Sequence, residues 1–167
     1  MMQLSDSVKT EIDHWLLKFP GDQRRSAVVA ALLCAQEENG GWISDEVMDA
    51  VAAYLKITRI EVLEVATFYD MYELKPIGRH KIGVCTNISC LLRGSDEVVS
   101  TLKERLGVDL GQTTEDGRFT LRETECLGAC ANAPVCQLDN DQYHENLTRD
   151  KVLALVDRLE QEAASGK

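Results

Sequence analysis

The sequence predicts a chain of mixed α and β structure, in which a unit of four helices precedes an α/β domain with the element order β-α-β-β-β-α. Two observations predict this division. Apolar residues recur at helical spacing through residues 1–75, whereas β-like apolar runs begin only after the turn-rich segment Lys75-Pro-Ile-Gly-Arg79. A chain of 167 residues can hold two small domains. We therefore expect a helical domain over residues 1–75 and an α/β domain over residues 76–167.

Local signals place the helices of the N-terminal domain. The predicted helices cover residues 4–18, 27–36, 45–55 and 58–72. Asp22 is the expected N-cap of the second helix, and the glycines of Asn39-Gly-Gly41 are expected to end it. The fourth helix begins with a capping box, in which Thr58 and Glu61 satisfy free backbone N–H groups reciprocally.

The second domain is predicted from β-like runs and two amphipathic helices. The predicted strands cover residues 80–86, 118–124, 134–139 and 142–147, and the predicted helices cover residues 95–106 and 148–162, with residues 163–167 fraying. Asp139-Asn-Asp141 indicates a tight hairpin. A strand, a helix and a second strand form a crossover unit with parallel strands. The carboxyl ends of the first two strands should therefore meet at one edge of the sheet.

Four cysteines follow these two strands, in the spacings C-x4-C and C-x3-C. They are Cys85, Cys90, Cys126 and Cys130. Thiolates suit soft metals, so one metal centre at the sheet edge, where open α/β sheets usually bind ligands, is expected. Structural zinc sites often include histidine, whereas the C-x4-C opening is shared with plant-type [2Fe–2S] ferredoxins. The spacing therefore favours a [2Fe–2S] cluster, with a zinc site or two disulfides as alternatives.

The residues around these cysteines suit a negatively charged cluster held by four thiolates. Gly128 can adopt a positive φ and let a backbone amide approach sulfur, while Gly94 and Ser95 open a helix whose N-terminus is positive. A cluster leaves little room for bulk between its ligands, and four of the seven positions between the paired cysteines carry small residues. They are Thr86, Ser89, Gly128 and Ala129.

The remaining candidate residues are interpreted as structural. Cys34 lies in an apolar helix and Cys136 on a strand, and both are expected to be buried thiols rather than ligands. The three histidines, His14, His80 and His144, show no metal spacing and are expected at surfaces or strand edges. Four aromatic residues are expected in the core: Trp15, Trp42, Phe68 and Tyr69.

Composition excludes several classes of function. A net charge of −10 opposes non-specific nucleic-acid binding, and no apolar run approaches the roughly 18 residues of a membrane span. The first residues lack the features of a signal peptide, so the six cysteines indicate a metal or redox role in the cytosol. No G-x-G-x-x-G fingerprint and no nucleophile with an evident base are present, so catalysis by this chain alone is not expected.

Several segments, in this order and spacing, carry a specific family resemblance. They are Gly40-Gly-Trp-Ile43, Val65-Ala-Thr-Phe-Tyr69, Pro76-Ile-Gly-Arg-His80, Gly111-Gln-Thr-Thr114, Asp116-Gly-Arg-Phe119 and the two cysteine motifs. The chain resembles the family of E subunits of NADH:quinone oxidoreductase (respiratory complex I), with their thioredoxin-like [2Fe–2S] domain. Its four cysteines occupy all four ligand positions of that family. Cys34 and Cys136 are not family ligands.

The resemblance implies more than spacing does. It implies that NADH and FMN are bound by a partner, the flavin- and NADH-binding subunit of complex I. The N-terminal helices of this chain would clamp that partner, and the cluster would exchange single electrons with its FMN. The large iron–sulfur subunit of the complex is a further implied partner. The resemblance implies neither nucleic-acid binding nor direct insertion into the membrane. Instead, the complex would hold the chain on the cytoplasmic side of the inner membrane. Pro134 occupies the place of the cis-proline of thioredoxin-like folds.

Three other functions are weighed against this one. A homologous component of an NAD-linked hydrogenase or formate dehydrogenase would share the same chemistry, although the Gly-Gly-Trp-Ile and Gly-Arg-His segments favour complex I. A free thiol–disulfide oxidoreductase is disfavoured because no C-x-x-C pair is present. A zinc-stapled interaction module would be distinguished by metal analysis.

Overall fold

The computed structural model describes residues 3–164, with side chains described to residue 162. The chain divides into two compact units, Met1–Ile77 and Gly78–Lys167, so the division falls inside the predicted turn-rich joint. Fraying was predicted for residues 163–167, but the last helix continues to Ala164, and residues 165–167 lie outside the described residues. Within residues 3–164, each helix is too short or too polar to span a bilayer.

Within residues 3–77, the first unit contains four α-helices and one 3₁₀ turn. The helices are α1 (Asp6–Leu16), α2 (Val28–Glu38), α3 (Asp45–Leu55) and α4 (Arg59–Phe68), and the 3₁₀ turn is Arg24–Ala27. The predicted capping box is confirmed, because Glu61 Oε2 accepts from the Thr58 backbone N–H at 2.8 Å. Ser44 caps α3 by accepting from Val47 N at 3.3 Å.

Two differences between the predicted and observed helix boundaries have a clear structural cause, whereas other helix ends differ by one or two residues. The expected N-cap at Asp22 is wrong, because the 3₁₀ turn precedes α2, which has Ala27 at its N-cap position and no side-chain cap. The predicted continuation of α4 to Tyr72 is also wrong, since the helix ends at Phe68. The following segment turns back to α2, where Tyr72 Oη donates to Val29 O at 2.8 Å. Tertiary hydrogen bonds thus end a helix that local spacing would extend.

The core of the first unit lies between its helices and their connections. Its fully buried side chains include Ile12, Leu32, Ile43, Val47, Leu55 and Val62. Polar groups tie the connection after α4 to α2, because the amide of the buried Gln36 bonds to Met71 O at 3.1 Å and to Glu73 N at 2.8 Å. This unit therefore has its own hydrophobic cluster and its own buried hydrogen bonds.

As far as it is described, from residue 78 to residue 164, the second unit is a mixed five-stranded sheet with three α-helices. Its strands are β1 (His80–Cys85), β2 (Gln112–Thr113), β3 (Phe119–Thr124), β4 (Cys136–Leu138) and β5 (Gln142–His144), and its helices are α5 (Ile88–Leu91), α6 (Ser95–Leu106) and α7 (Arg149–Ala164). A 3₁₀ turn spans Cys130–Asn132. The sequence did not predict β2 or α5, because two exposed residues and a single helical turn carry little periodicity.

The sheet has the strand order β2-β3-β1-β4-β5. As predicted, β1 and β3 are parallel, with Cys85 in register with Thr124 at their carboxyl ends. β4 runs antiparallel to β1 on its other side, and β4 and β5 form the hairpin predicted at Asp139-Asn-Asp141. The Ala133–Pro134 peptide bond before β4 is cis. Because β1 lies between β3 and β4, the chain that joins β3 to β4 must cross the carboxyl end of β1.

One face of this sheet packs against α6 and α7, which also pack against each other. Alternation along β1 sends Ile82 and Val84 into that core, together with Phe119, Leu121 and Leu138 from the neighbouring strands. By the same alternation, Cys85 lies on the opposite face of the sheet, outside the main core.

Candidate metal centre

The first predicted ligand, Cys85, is the last residue of β1. Its backbone N–H donates to Val135 O at 3.1 Å, and its Sγ lies 3.9 Å from Glu125 O. The side chain is only 3% exposed although it lies outside the main core. A buried thiol at the end of a central strand has a position set by the sheet itself.

The second predicted ligand, Cys90, lies on α5. Asn87 begins this short helix by accepting the first backbone N–H at 2.8 Å, and Cys90 is 2% exposed. Burial, and then a hydrogen bond with the Cys85 thiol, raise the pKa of Cys90 to about 11, while the Val135 N–H acts in the opposite direction. Cys85, Cys90 and Ala133 form a small buried cluster of their own.

The second pair, Cys126 and Cys130, lies on the connection from β3 to β4, and both side chains are exposed. Gly128 adopts the positive φ expected from the sequence, +70°, and its N–H donates to Cys126 Sγ at 3.4 Å. Cys130 begins the 3₁₀ turn, and its thiol lies close enough to contribute electrostatically to the raised pKa of Cys90. The second pair is thus near the first but open to solvent.

Two of the contacts that hold this connection, hereafter the ligand loop (residues 125–135), are made by Leu127. The side chain of Leu127 packs against the buried Cys85 and Cys90. The Leu127 carbonyl accepts from Tyr143 Oη, on the edge strand β5, at 3.1 Å. The sequence did not indicate this tether, because residue 143 and residue 127 are far apart in the chain and only the order of the strands brings them together.

The structure brings Cys85 and Cys90 into contact but does not gather all four predicted ligands. Across residues 3–164, no three His, Cys, Asp or Glu side chains lie close enough together to hold one metal ion. All six cysteines are free thiols, so neither predicted pair is a disulfide. The set of four cysteine ligands therefore stays a prediction.

The residues present nevertheless fit a [2Fe–2S] group in their donor chemistry. The thiols are free and follow the carboxyl ends of two parallel neighbouring strands. Iron–sulfur clusters take thiolate ligands and are tuned by hydrogen bonds to sulfur, and the Gly128 N–H already makes one such bond. The donor set and the backbone amides match what this cofactor requires.

The remaining cysteines and the histidines lie where structural roles place them. Cys136 is fully buried in the core of the second unit, where burial raises its pKa to about 12. Cys34 is half-buried on α2 and lines a cavity of about 650 Å³ in the first unit. His14 is exposed, while His80 and His144 lie at the ends of β1 and β5, as predicted.

The prediction that four aromatic residues lie in the core is wrong for two of them. Trp15 and Trp42 are half-buried, but Phe68 is 78% exposed and Tyr69 is also exposed. Because α4 ends at Phe68, these two rings lie at the point where the chain leaves the helix. They form an exposed aromatic pair, with ring centroids 4.9 Å apart.

A second exposed apolar surface lies beside Cys90 and was missed from the sequence. The α5 surface consists of Ile88, Leu91 and Leu92, all exposed. Their spacing, three and four residues apart on one side of the helix, was the available signal. An unpaired apolar surface of this kind next to buried thiols is typical of a contact site for another protein.

Comparison with known proteins gives one family and a set of similar chains. Residues 12–160 match the family described as thioredoxin-like [2Fe–2S] ferredoxin. The chain is 48% identical over 143 residues to the E subunit of the NADH-quinone oxidoreductase of Rickettsia conorii, covering 86% of this chain and 85% of that protein. It is 44% identical to the mitochondrial NADH dehydrogenase [ubiquinone] flavoprotein 2 of Dictyostelium discoideum, over 89% of this chain and 60% of that protein.

Among solved structures, the fold is similar to part of an NAD+-reducing [NiFe]-hydrogenase in its air-oxidised state. The TM-score is 0.70 at 19% sequence identity, over 86% of this chain and 24% of that chain. The chain thus spans less than a quarter of the hydrogenase polypeptide. At this identity the likeness shows the fold alone.

Proposed function

The chain belongs to the thioredoxin-like [2Fe–2S] ferredoxin family, and from that premise we propose that it is the electron-transfer subunit of the NADH dehydrogenase module of an NADH:quinone oxidoreductase. The observation that carries the proposal is the position of four free thiols after the carboxyl ends of the parallel strands β1 and β3. The relatives named as the E subunit of that complex support the choice of complex.

In this proposal Cys85, Cys90, Cys126 and Cys130 hold the cluster at that sheet edge. When bound, the cluster supplies one-electron transfer. Cys85 and Cys90 are already in contact, so the ligand loop has to bring Cys126 and Cys130 over them. Leu127 packs on the first pair and so holds the middle of the loop in the right place for this closure.

The backbone stabilises the negative charge that four thiolates bring. The Gly128 N–H donates to Cys126 Sγ, and the Val135 N–H acts on Cys90. Hydrogen bonds to ionised acceptors are about twice as strong as neutral ones. Leu127 and Ala133 limit the access of water to the buried pair, which increases the strength of the interaction between Val135 and Cys90.

The partners follow from the same assignment. NADH and FMN would lie on a flavoprotein, to which this chain passes and from which it receives single electrons, with a large iron–sulfur protein as a further neighbour. We assign the flavoprotein contact to the α5 surface, because it flanks Cys90, and to the exposed pair Phe68 and Tyr69 in the helical unit. The complex would hold the chain on the cytoplasmic side of the membrane.

The first test is the composition of the full chain after reconstitution with iron and sulfide. We expect about two iron atoms and two acid-labile sulfides per chain, as a [2Fe–2S] cluster requires, and an electron paramagnetic resonance signal after one-electron reduction. One bound zinc with no acid-labile sulfide would overturn the proposal.

The second test is binding to the flavoprotein of an NADH dehydrogenase module. Leu92→Ser and Phe68→Ser should each weaken the complex, because each removes an exposed apolar side chain from a proposed contact. Leu17→Ser is the matched control, since Leu17 is as exposed, at 85%, as Leu92 at 79% and Phe68 at 78%. If Leu92→Ser and Phe68→Ser bind the flavoprotein as tightly as Leu17→Ser does, the assignment of these surfaces to the contact is wrong.

A further inference from the structure

One peptide group in the ligand loop has a hydrogen bond at each end. The peptide unit between Leu127 and Gly128 accepts, at its carbonyl, from Tyr143 Oη at 3.1 Å. At its other end the N–H of Gly128 donates to Cys126 Sγ at 3.4 Å. A hydroxyl, a single peptide group and a sulfur are therefore connected in series.

We propose that Tyr143 is a positioning residue for the cluster, which sets the reduction potential through the peptide group between Leu127 and Gly128. The proposal rests on the proposed function, because it assumes that Cys126 is a cluster ligand. Tyr143 would act through the peptide and would not touch the cluster.

The sheet fixes the donor end of this series. Tyr143 is the middle residue of β5 and is in register with Gln137 on β4, which is itself paired with β1. The Tyr143 hydroxyl thus has a defined position relative to Cys85, the last residue of β1. The ligand loop has no such support between β3 and the 3₁₀ turn, so the hydroxyl orients a peptide that the loop alone would leave free to rotate.

The loop itself is built to transmit this orientation. Gly128 has a positive φ, and no neighbouring atom lies within 4 Å of the position a Cβ would take, so the glycine serves the backbone conformation rather than a close contact. The Leu127 side chain packs on the first cysteine pair and limits movement of the same peptide from the other side. The N–H therefore points at Cys126 Sγ in one orientation.

The expected sign follows from the charge on sulfur. Hydrogen bonds in series polarise one another, so the Tyr143 hydroxyl strengthens the N–H donor at the other end of the peptide. Donation to sulfur stabilises the reduced cluster, whose ligands carry more negative charge, more than the oxidised one. Loss of the hydroxyl should therefore make reduction less favourable.

The test is a redox titration of the reconstituted full chain and its Tyr143→Phe variant, followed by electron paramagnetic resonance. At the wild-type midpoint potential, the ratio of reduced to oxidised cluster should fall about threefold in the variant, which corresponds to about 28 mV for one electron. Tyr54→Phe is the matched control, because its hydroxyl lies 3.4 Å from a backbone carbonyl, Lys9 O, in the other unit. An unchanged midpoint in Tyr143→Phe would overturn the inference.

A measurement without the cluster covers the case in which Tyr143→Phe fails to bind it. In the metal-free chain, nuclear magnetic resonance should show faster exchange of the Gly128 amide proton in Tyr143→Phe than in wild type. Unchanged exchange would overturn the inference. If the wild-type chain itself binds no iron and sulfide, the proposed function fails instead, and the two failures are thereby distinguished.

Discussion

The two cysteine pairs differ in how the fold supports them. Cys85 and Cys90 are 3% and 2% exposed and are held by a strand end and a capped helical turn. Cys126 and Cys130 are exposed on a connection that has one glycine turn and one 3₁₀ turn. One pair is thus buried at the end of the central strand and in the helical turn that follows it, whereas the other pair lies on an exposed loop.

The cause of this difference is the strand order. β1 is the central strand, so its end is covered by whatever chain crosses it, and that chain is the ligand loop. The loop can bury the first pair only by staying at the surface itself. A buried pair and an exposed pair are therefore two results of the same topology.

The largest effect should come from removing one exposed ligand. Cys126→Ala should lose nearly all of its iron and its reduced-state electron paramagnetic resonance signal, yet keep the stability of the metal-free fold, because the side chain is exposed. Cys136→Ala is the control, and it should keep the cluster while losing on the order of 1 kcal/mol of stability as a buried core residue. A normal signal from Cys126→Ala would contradict the ligand assignment.

A second prediction concerns β1, the strand that ends at the buried Cys85. Gly83→Ala in β1 would place its Cβ 2.7 Å from Thr124 Oγ1, so either the Thr124 side chain or the ends of β1 and β3 must shift. We expect a loss of about 1–3 kcal/mol in urea unfolding. Gly21→Ala, with no atom within 4 Å of the added Cβ, should change stability by less than about 0.5 kcal/mol. Equal stability of the two variants would show that the sheet end is not rigid.

A third prediction compares the thiol reactivity of the buried and the exposed cysteine pairs. In the metal-free chain, Cys126 and Cys130 should react with a water-soluble thiol reagent at least about tenfold faster than Cys85 and Cys90, because the buried thiols react only after local opening. Leu127→Ala removes the side chain that packs on the first pair and should accelerate only the slow class. Uniform rates for all four thiols would contradict the difference between the pairs.

The smallest effect concerns the hairpin that leads into β3, far along the strand from the cysteines. The Thr114 hydroxyl, then the backbone N–H and the guanidinium of Arg118, lower the pKa of Asp116 to about 2 from 3.8. Because the folded-state pKa is the lower one, the stabilisation is present above about pH 4 and is lost as the pH falls towards 2.

Asp116→Asn tests this sign in the metal-free chain. The variant should have a slightly lower Tm than wild type at pH 5, and this difference should disappear near pH 2, where Asp116 becomes protonated. The carboxylate is exposed, so the change should be small. A Tm difference that does not depend on pH would contradict the electrostatic origin.

Much of the secondary structure could be predicted from local signals. The capping box at Thr58 and the bounds of α6 needed only neighbouring residues, and the structure has both. The strand β2 could not be found in this way, because its two residues are exposed and pair only after β3 has formed. The Asp116-Gly117 turn between them was the one local indication of that hairpin.

The candidate site also has some features that the sequence predicts and others that it does not. Cysteine spacing identified four thiols with the chemistry of a metal centre, and the strand–helix–strand order predicted that both pairs lie at one sheet edge. The exposure of Phe68 and the tether from Tyr143 to Leu127 could not be predicted, because each depends on residues distant in the chain. Helical spacing alone would place Phe68 inside a longer helix.

By itself the sequence determined which residues are the candidate ligands, since thiolate donors, a positive-φ glycine and capping signals are properties of residue type and near neighbours. Only the tertiary structure decided which cysteine pair is buried and which is exposed, because that depends on which strand lies in the centre of the sheet. It also decided that the Tyr143 hydroxyl meets the Leu127 carbonyl. Burial and long-range hydrogen bonds are properties of the assembled sheet, and no local segment contains them.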